Sequence, residues 1–194
     1  MTEKQVYFNR PKFPKKYKLN EFLEFAKGEE ERYELINGRA YMMASPNVNH
    51  QDIAGNIYVE LMSYLRGKPC RAFISPLDVV LFKKNKEKEE SQNVFQPDVF
   101  VVCDPDKISK ERIYGAPDLV IEIVSPSSET LDHFEKFRLY IKYGVKEYWI
   151  VNPETKRVFV YVSGKAETTK YTFDDKIKVN IFEDFEIDFK ELQI

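Results

Sequence analysis

Two nearly continuous apolar runs, residues 94–103 and 119–124, constrain the fold more than any other part of the sequence. Runs of this kind, rich in β-branched and aromatic residues, are typical of central strands that are covered on both faces. Each run nevertheless contains one acidic residue, which is Asp98 in the first run and Glu122 in the second. Because an unpaired charge is costly inside a sheet, such acids usually mark a functional site.

The remaining pattern predicts helices and further strands around these two runs. Apolar spacing predicts helices over residues 19–27, 45–67 and 131–143, and Asn37-Gly38 predicts the turn of a hairpin over residues 33–43. Further strands are predicted at residues 72–82 and 147–152, with antiparallel additions at a sheet edge at 157–162 and 170–179. This order predicts an α/β fold in which helices flank a central mixed sheet.

The length favours one domain. A chain of 194 residues can bury one sizeable core and is short for two domains of ordinary size. We therefore expect a single domain over residues 1–194. The Pro- and Lys-rich residues 1–18 are expected to form an N-terminal arm, and residues 163–194 to form peripheral C-terminal strands.

Charge and composition indicate where the protein resides and whether it is attracted to nucleic acid. The net charge of −2 gives no global attraction to nucleic acid, so phosphate binding would need local cations or a metal. No apolar segment approaches the roughly 20 residues that span a membrane, and the N-terminus lacks a secretory pattern. Cys70 and Cys103 have no metal-type spacing and are interpreted as buried thiols in a reducing cytoplasm.

The two acids suggest metal chemistry. If their strands are neighbours, the carboxylates of Asp98 and Glu122 can converge on one face of the sheet and bind a hard cation such as Mg²⁺. Such a cation can polarise a scissile phosphate and activate water. Asp98 could instead brace the turn after Pro97. Asp118, beside Pro117, is expected to be a turn residue and is the alternative ligand if the register is shifted.

A longer set of motifs resembles a known family. Pro97-Asp98 followed by an acid in the next strand resembles the PD-(D/E)XK nuclease core. The chain is similar to the Uma-type restriction endonuclease family in residues 33–38, 45–50, 96–99, 122–127 and several positions of 132–149. The resemblance extends over about residues 19–162. It implies a restriction-endonuclease-like core and Mg²⁺- or Mn²⁺-dependent hydrolysis of phosphodiester bonds in DNA.

The resemblance also implies roles for individual residues. Asp98, Glu122 and the main-chain carbonyl of Ile123 would bind the metal. The Lys expected two positions after Glu122 is replaced by Val124, and Lys136 on the following helix matches the position that this Lys takes in the family.

Three other positions have weaker assignments. Glu34 would be a further ligand or a general base. His50 is a candidate phosphate contact or proton carrier, although a helix-capping or exposed histidine is the common case. Ser125 could contact metal-bound water, although Ser before Pro is more often part of a turn.

Helical spacing does not fix the direction of Lys136. If Leu131, Phe134, Phe137 and Ile141 define the buried side of the helix, Lys136 points away from it, toward an open cleft or solvent. Lys136 is also spaced for a surface ion pair with Asp132. Both interpretations remain open at the level of sequence.

The preferred hypothesis is a DNA endonuclease that acts as a homodimer, since a two-fold pair can cut both strands of a duplex. The alternative is a non-catalytic nucleic-acid-binding or oligomeric module on a nuclease scaffold, which the acidic pI and the displaced Lys favour. A third hypothesis is a metal-dependent enzyme for a small phosphorylated substrate, which would have a closed pocket.

Overall fold

The computed structural model describes residues 15–83, 86–124 and 132–192 of the chain. Most of the predicted N-terminal arm, and Ser125, lie outside these ranges. Within them the helices are α1 (Leu19–Lys27), α2 (Val48–Leu65) and α3 (Asp132–Tyr143), and the strands are β1 (Tyr33–Ile36), β2 (Arg39–Met42), β3 (Arg71–Ile74), β4 (Val79–Val80), β5 (Val94–Phe95), β6 (Val99–Val102), β7 (Ile113–Tyr114), β8 (Leu119–Ile123), β9 (Glu147–Asn152), β10 (Arg157–Val162), β11 (Thr169–Thr172), β12 (Lys176–Lys178) and β13 (Glu186–Asp188).

The described strands form two larger mixed sheets and one small pair. The six-stranded sheet has the order β11-β10-β9-β8-β6-β3, and the five-stranded sheet has the order β2-β1-β5-β4-β7. Strands β12 and β13 pair with each other. The β8–β9 and β4–β7 pairs are parallel and the others are antiparallel. The predicted α/β fold with a mixed sheet is therefore confirmed.

Helices cover both faces of the six-stranded sheet. Alternate residues of β8, including Ile121, pack with Ile57 of α2 in one apolar cluster. Val120 packs with Leu139 of α3 in a second cluster on the opposite face. This alternation follows from the two-residue period of a strand, and it assigns Glu122 to the α3 face.

Several local predictions agree with the structure. Helix α1 covers the predicted residues, and Asn37 and Gly38 have φ values of 50° and 83° in the hairpin turn between β1 and β2. Helix α2 is shorter than predicted and begins after Asn47, whose side chain accepts a hydrogen bond from the main-chain N of His50. No helix in the described parts of the chain is long and apolar enough to cross a membrane.

The two long strands predicted at residues 72–82 and 94–103 are each divided. Strands β3 and β6 belong to the six-stranded sheet, whereas β4 and β5 belong to the five-stranded sheet. The breaks contain Pro76 and Pro97, which cannot donate a main-chain hydrogen bond to a ladder. Asp98 therefore lies just before β6, in the segment where the chain passes from one sheet to the other.

The C-terminal strands only partly match the prediction. Strands β10 and β11 extend the six-stranded sheet at its edge, as expected. Strand β12 was also expected at that edge, but it pairs with β13. Both β12 and β13 place an apolar residue, Ile177 and Ile187, in the cluster on the α2 face. The small pair thus covers the core instead of lengthening the sheet.

The two cysteines are joined. Cys70 precedes β3 and Cys103 follows β6, and extension of the antiparallel register of these strands sets the two residues opposite each other. They form a disulfide and are half-buried. The interpretation as buried thiols is therefore wrong, because register across a sheet is invisible in the spacing of cysteines along a sequence. Because Cys70 and Cys103 are not free thiols, they give no support to the predicted cytoplasmic location.

Candidate active site

The two strand acids lie opposite each other. The antiparallel register of β6 and β8 pairs Val99 with Ile121, so one further step sets Asp98 opposite Glu122. Side chains of directly opposed residues project from the same face of a sheet. Both acids are on the face that α3 covers, which meets the geometric condition on which the predicted metal chemistry depends.

Asp98 is held by two donors. Its Oδ2 accepts hydrogen bonds from the main-chain N of Ile123 at 2.8 Å and from Nε2 of His50 at 3.1 Å. His50 is therefore neither exposed nor only a helix-start residue, since its ring binds an acid of the candidate site. Burial alone would lower the pKa of His50, but the hydrogen bond and charge of Asp98 outweigh burial and raise it.

Glu122 is buried among other charges. Its Oε1 accepts a hydrogen bond from the hydroxyl of Tyr140 at 3.1 Å, and Nζ of Lys136 lies 3.9 Å away. Burial, together with the charges of Asp98 and Glu34, raises the pKa of Glu122 to about 8, although Lys136 opposes the shift. Without an additional cation, the Glu122 carboxyl therefore retains its proton at neutral pH.

Lys136 points into this site. Its Nζ lies 2.6 Å from Oε2 of Glu34, and its side chain is 13% exposed. Leu139 and Tyr140, three and four positions later, are buried on the same side of α3, whereas Phe137 is only partly buried. The expectation that Lys136 faces away from the buried side is wrong. Burial alone would lower the pKa of Lys136, but the neighbouring acids Glu122 and Glu34 outweigh burial and raise it.

The aromatic residues of α3 differ in how deeply they are buried. Phe137 is only partly buried, with its ring centroid 4.3 Å from that of Tyr161, and so does not mark the centre of the buried side. Tyr140 is fully buried and follows Lys136 by four positions, so Lys136 lies on the covered face of the helix. Asp132, the proposed surface partner of Lys136, has a side chain outside the described set.

Glu34 connects the site to the five-stranded sheet. It lies on β1 and is 4% exposed. Its Oε1 accepts a hydrogen bond from the main-chain N of Gln96 at 3.0 Å, while Oε2 contacts Lys136. Gln96 belongs to the segment between β5 and β6. The side chains of Glu34, Asp98, Glu122 and Lys136 therefore meet at the junction of the two sheets.

Asp118 lies outside this group. It is buried, and its Oδ2 accepts a hydrogen bond from the main-chain N of Cys103 at 2.7 Å, while Nζ of Lys146 lies 2.7 Å from its Oδ1. These contacts fix the start of β8. The register is the one that brings Asp98 and Glu122 together, so Asp118 is not needed as an alternative ligand.

Comparison with known proteins identifies the family. The Uma2 family, described as "Putative restriction endonuclease", matches residues 19–190. The chain belongs to this family. Two uncharacterized proteins of Synechocystis are 29% and 24% identical over 150 and 144 residues, which cover 77% and 73% of this chain and 75% and 77% of theirs.

A solved structure has the same fold. The crystal structure of "a putative nuclease belonging to DUF820" from Anabaena variabilis matches with a TM-score of 0.74 at 23% identity, covering 91% of this chain and 97% of that chain. The predicted restriction-endonuclease-like fold and membership of a nuclease family are confirmed.

The oxygen atoms of the candidate site fit a hard divalent cation that takes only a few of its ligands from the protein. Among the described residues, no group of three or more His, Cys, Asp or Glu is arranged to hold a metal ion. Mg²⁺, however, is commonly held by one or two carboxylates together with water and substrate oxygens. Asp98, Glu122 and the carbonyl of Ile123 offer only oxygen atoms, and burial keeps the pKa of Glu122 raised even though Lys136 is nearby.

Tyr140 and Gln96 were not among the predicted residues of the candidate site. The Tyr140 hydroxyl donates to Glu122, and the main-chain N of Gln96 fixes Glu34. The first has a sequence signal, because Tyr140 follows Lys136 by four positions and so lies on the same helix face. The second has none, since any residue at position 96 would supply the same main-chain donor.

Proposed function

We propose that the protein is an endonuclease that hydrolyses phosphodiester bonds in DNA with Mg²⁺ or Mn²⁺. The observation that carries the proposal is the position of Lys136, whose Nζ lies 2.6 Å from Glu34 and 3.9 Å from Glu122. Helix α3 thus supplies a cation to the face where Asp98 opposes Glu122, although the strand position usual for this Lys holds Val124.

Each residue has a chemical role in this proposal. Asp98, Glu122 and the carbonyl of Ile123 would hold the metal, which when bound would polarise the scissile phosphate. Lys136 is suited to stabilise negative charge that develops on the phosphate during attack. Glu34, held by Gln96 on one oxygen, keeps Lys136 in place with the other and is a candidate acceptor for a proton from the attacking water.

His50 and Ser125 are proposed as accessory residues. The ring of His50 fixes Asp98, as partners of metal-binding carboxylates commonly do. Its Nδ1 is buried without a hydrogen-bond partner in the described structure, which leaves one polar atom for water or substrate. Ser125 directly follows the end of the apolar run that carries Glu122, and its proposed contact with metal-bound water rests on sequence alone.

A non-catalytic module on the nuclease scaffold is the second candidate. It is favoured by the ion pair between Lys136 and Glu34, because the ammonium already neutralises the charge of this carboxylate and no metal is needed to do so. The third hypothesis, a small phosphorylated substrate, gains no support from the surface cavity of about 420 Å³, because that cavity is lined by Lys18, Lys86, Glu87, Glu90 and Gln92 and by none of the site residues.

A cleavage assay separates these candidates. Supercoiled plasmid and single-stranded DNA would be incubated with Mg²⁺, Mn²⁺ or EDTA and with the parent, Glu122→Gln, or the exposed control Glu186→Gln. We expect metal-dependent cleavage by the parent and the control, and none by Glu122→Gln. Equal cleavage by Glu122→Gln would refute the assigned site, and a parent that binds DNA without cutting it would favour the non-catalytic module. Sedimentation of the parent with and without DNA would test the proposed homodimer.

A further inference from the structure

Arg32 lies beside the acidic pair without belonging to it. The main-chain O of Arg32 accepts a hydrogen bond from Met43, which extends the β1–β2 ladder by one residue. Arg32 and Glu34 therefore project from the same face of the strand. Nη1 of Arg32 donates to Oγ of Ser75 at 3.3 Å, and the main-chain N of Ser75 donates to the carbonyl of Asp98 at 3.0 Å.

The charge of Arg32 is not compensated by a described carboxylate. Its hydrogen bond to Ser75 is to a neutral hydroxyl, and no acid in the described ranges forms an ion pair with it. Arg112 shows the opposite arrangement, with Nη1 3.3 Å from Glu111 and Nε 3.9 Å from Asp78. A guanidinium carries five N–H donors, so Arg32 retains donors for an anion.

We propose that Arg32 binds a phosphate of the nucleic-acid backbone next to the acidic pair, and that Ser75 is its positioning residue. The planar guanidinium matches phosphate oxygens and stays charged at every relevant pH. Ser75 ties this cation to the main chain of Asp98, which fixes its distance from the candidate metal ligands. Because the role requires a phosphodiester substrate, it rests on the function proposed above.

The overall charge makes such a contact important. A net charge of −2 gives no general attraction to a polyanion, and the acids of the site repel phosphate. Attraction must therefore come from cations that are close to the site and not already paired. Lys136 is paired with Glu34, whereas Arg32 is available.

A salt titration tests this role independently of catalysis. Binding of a fluorescein-labelled DNA duplex would be followed by anisotropy over a range of KCl concentrations, with Ca²⁺ as the divalent cation and with cleavage checked on gels. Full-length parent would be compared with Arg32→Gln and Arg32→Lys. Arg157→Gln is the matched control, since Arg157 is also the first residue of a strand ladder but is exposed on β10. Circular dichroism would verify that each variant is folded.

We expect Arg32→Gln to weaken binding about tenfold and to reduce the slope of log Kd against log [KCl] by about one, as the loss of one phosphate contact requires. Arg32→Lys should keep the slope, because the charge remains, but bind more weakly than the parent. Ser75→Ala should weaken binding without changing the slope. Arg157→Gln should match the parent.

A slope unchanged in Arg32→Gln, or reduced equally in Arg157→Gln, would overturn the role of Arg32. If the parent binds DNA but does not cut it with Mg²⁺ or Mn²⁺, the enzymatic proposal fails while the slope still decides the role of Arg32. A parent that binds neither duplex nor single-stranded DNA would overturn both. If Arg32→Gln does not fold, the two single variants Arg32→Lys and Ser75→Ala decide the question. An affinity for DNA equal to that of the parent in both would refute the contact.

Discussion

The ammonium of Lys136 lies 2.6 Å from Oε2 of Glu34, and this ion pair joins helix α3 to strand β1 of the other sheet. Glu34 is also fixed by the main chain of Gln96, in the segment that leads from one sheet to the other. The candidate site therefore depends on the docking of the two sheets and not on one strand pair. Loss of the ion pair should affect both stability and chemistry.

Lys136→Met should destabilise the protein by about 3 kcal/mol or more, because it leaves the buried carboxylate of Glu34 without its cation. Urea unfolding at neutral pH would measure the change. Glu34→Gln combined with Lys136→Met should recover much of the loss, since no unpaired charge remains. Lys142→Met is the control on an exposed position of the same helix. Equal stabilities of Lys136→Met and Lys142→Met would contradict the buried pair.

The predicted metal site can be tested through stability. A cation that binds only the folded chain raises the free energy of unfolding, by about 2.7 kcal/mol at 100 times its Kd. We expect Mn²⁺ to raise the Tm of the parent and to have little effect on Asp98→Asn. The Asn variant is preferred to Ala, because the main-chain N of Ile123 needs an acceptor at this position. A rise in Tm of equal size in both proteins would argue against Asp98 as a ligand.

The sequence predicted the acids better than the cation. Asp98 and Glu122 stand out because they interrupt apolar runs, whereas the register of β6 against β8 that sets them on one face of the sheet has no signal in the sequence. Lys136 was harder to place, because α3 contains apolar residues on more than one side. Which side is buried depends on Tyr140, whose partner Glu122 lies on another element.

Long-range pairing was not predictable from the sequence. Asp98 was expected inside a single strand, but Pro97 divides that strand between two sheets. The Cys70–Cys103 disulfide depends on the register of β3 against β6, and the hydrogen bond from Gln96 to Glu34 depends on main-chain position alone. Such features arise from the meeting of distant segments and leave no local pattern.

Glu147, the other buried acid in the described strands of the six-stranded sheet, should have only a structural role. Glu147 is fully buried and accepts hydrogen bonds from Trp149, Asn180 and the main-chain N of Ile181, on the face opposite the candidate site. Glu147→Ala should cost about 3 kcal/mol in urea unfolding, because it leaves three donors unsatisfied. Glu147→Gln should cost less, since one acceptor oxygen remains. A folded Glu147→Gln without cleavage activity would contradict the assignment.

The raised pKa of Glu122 predicts a specific pH dependence of stability in the presence of EDTA. Its pKa is about 8 in the folded protein and 4.5 ordinarily, so the folded chain holds a proton that the unfolded chain releases between these values. The contribution of Glu122 to stability is therefore complete below about pH 4.5 and is lost as the pH rises through about 8, a loss on the order of a few kcal/mol.

Glu122→Gln cannot release this proton, so its free energy of unfolding should fall less than that of the parent from pH 5 to pH 8.5. The raised pKa of His50 acts in the same direction, but His50 is present in both proteins and largely cancels in the comparison. Urea unfolding curves whose pH profiles are parallel for the parent and Glu122→Gln would show that Glu122 is ionised in the folded protein at neutral pH.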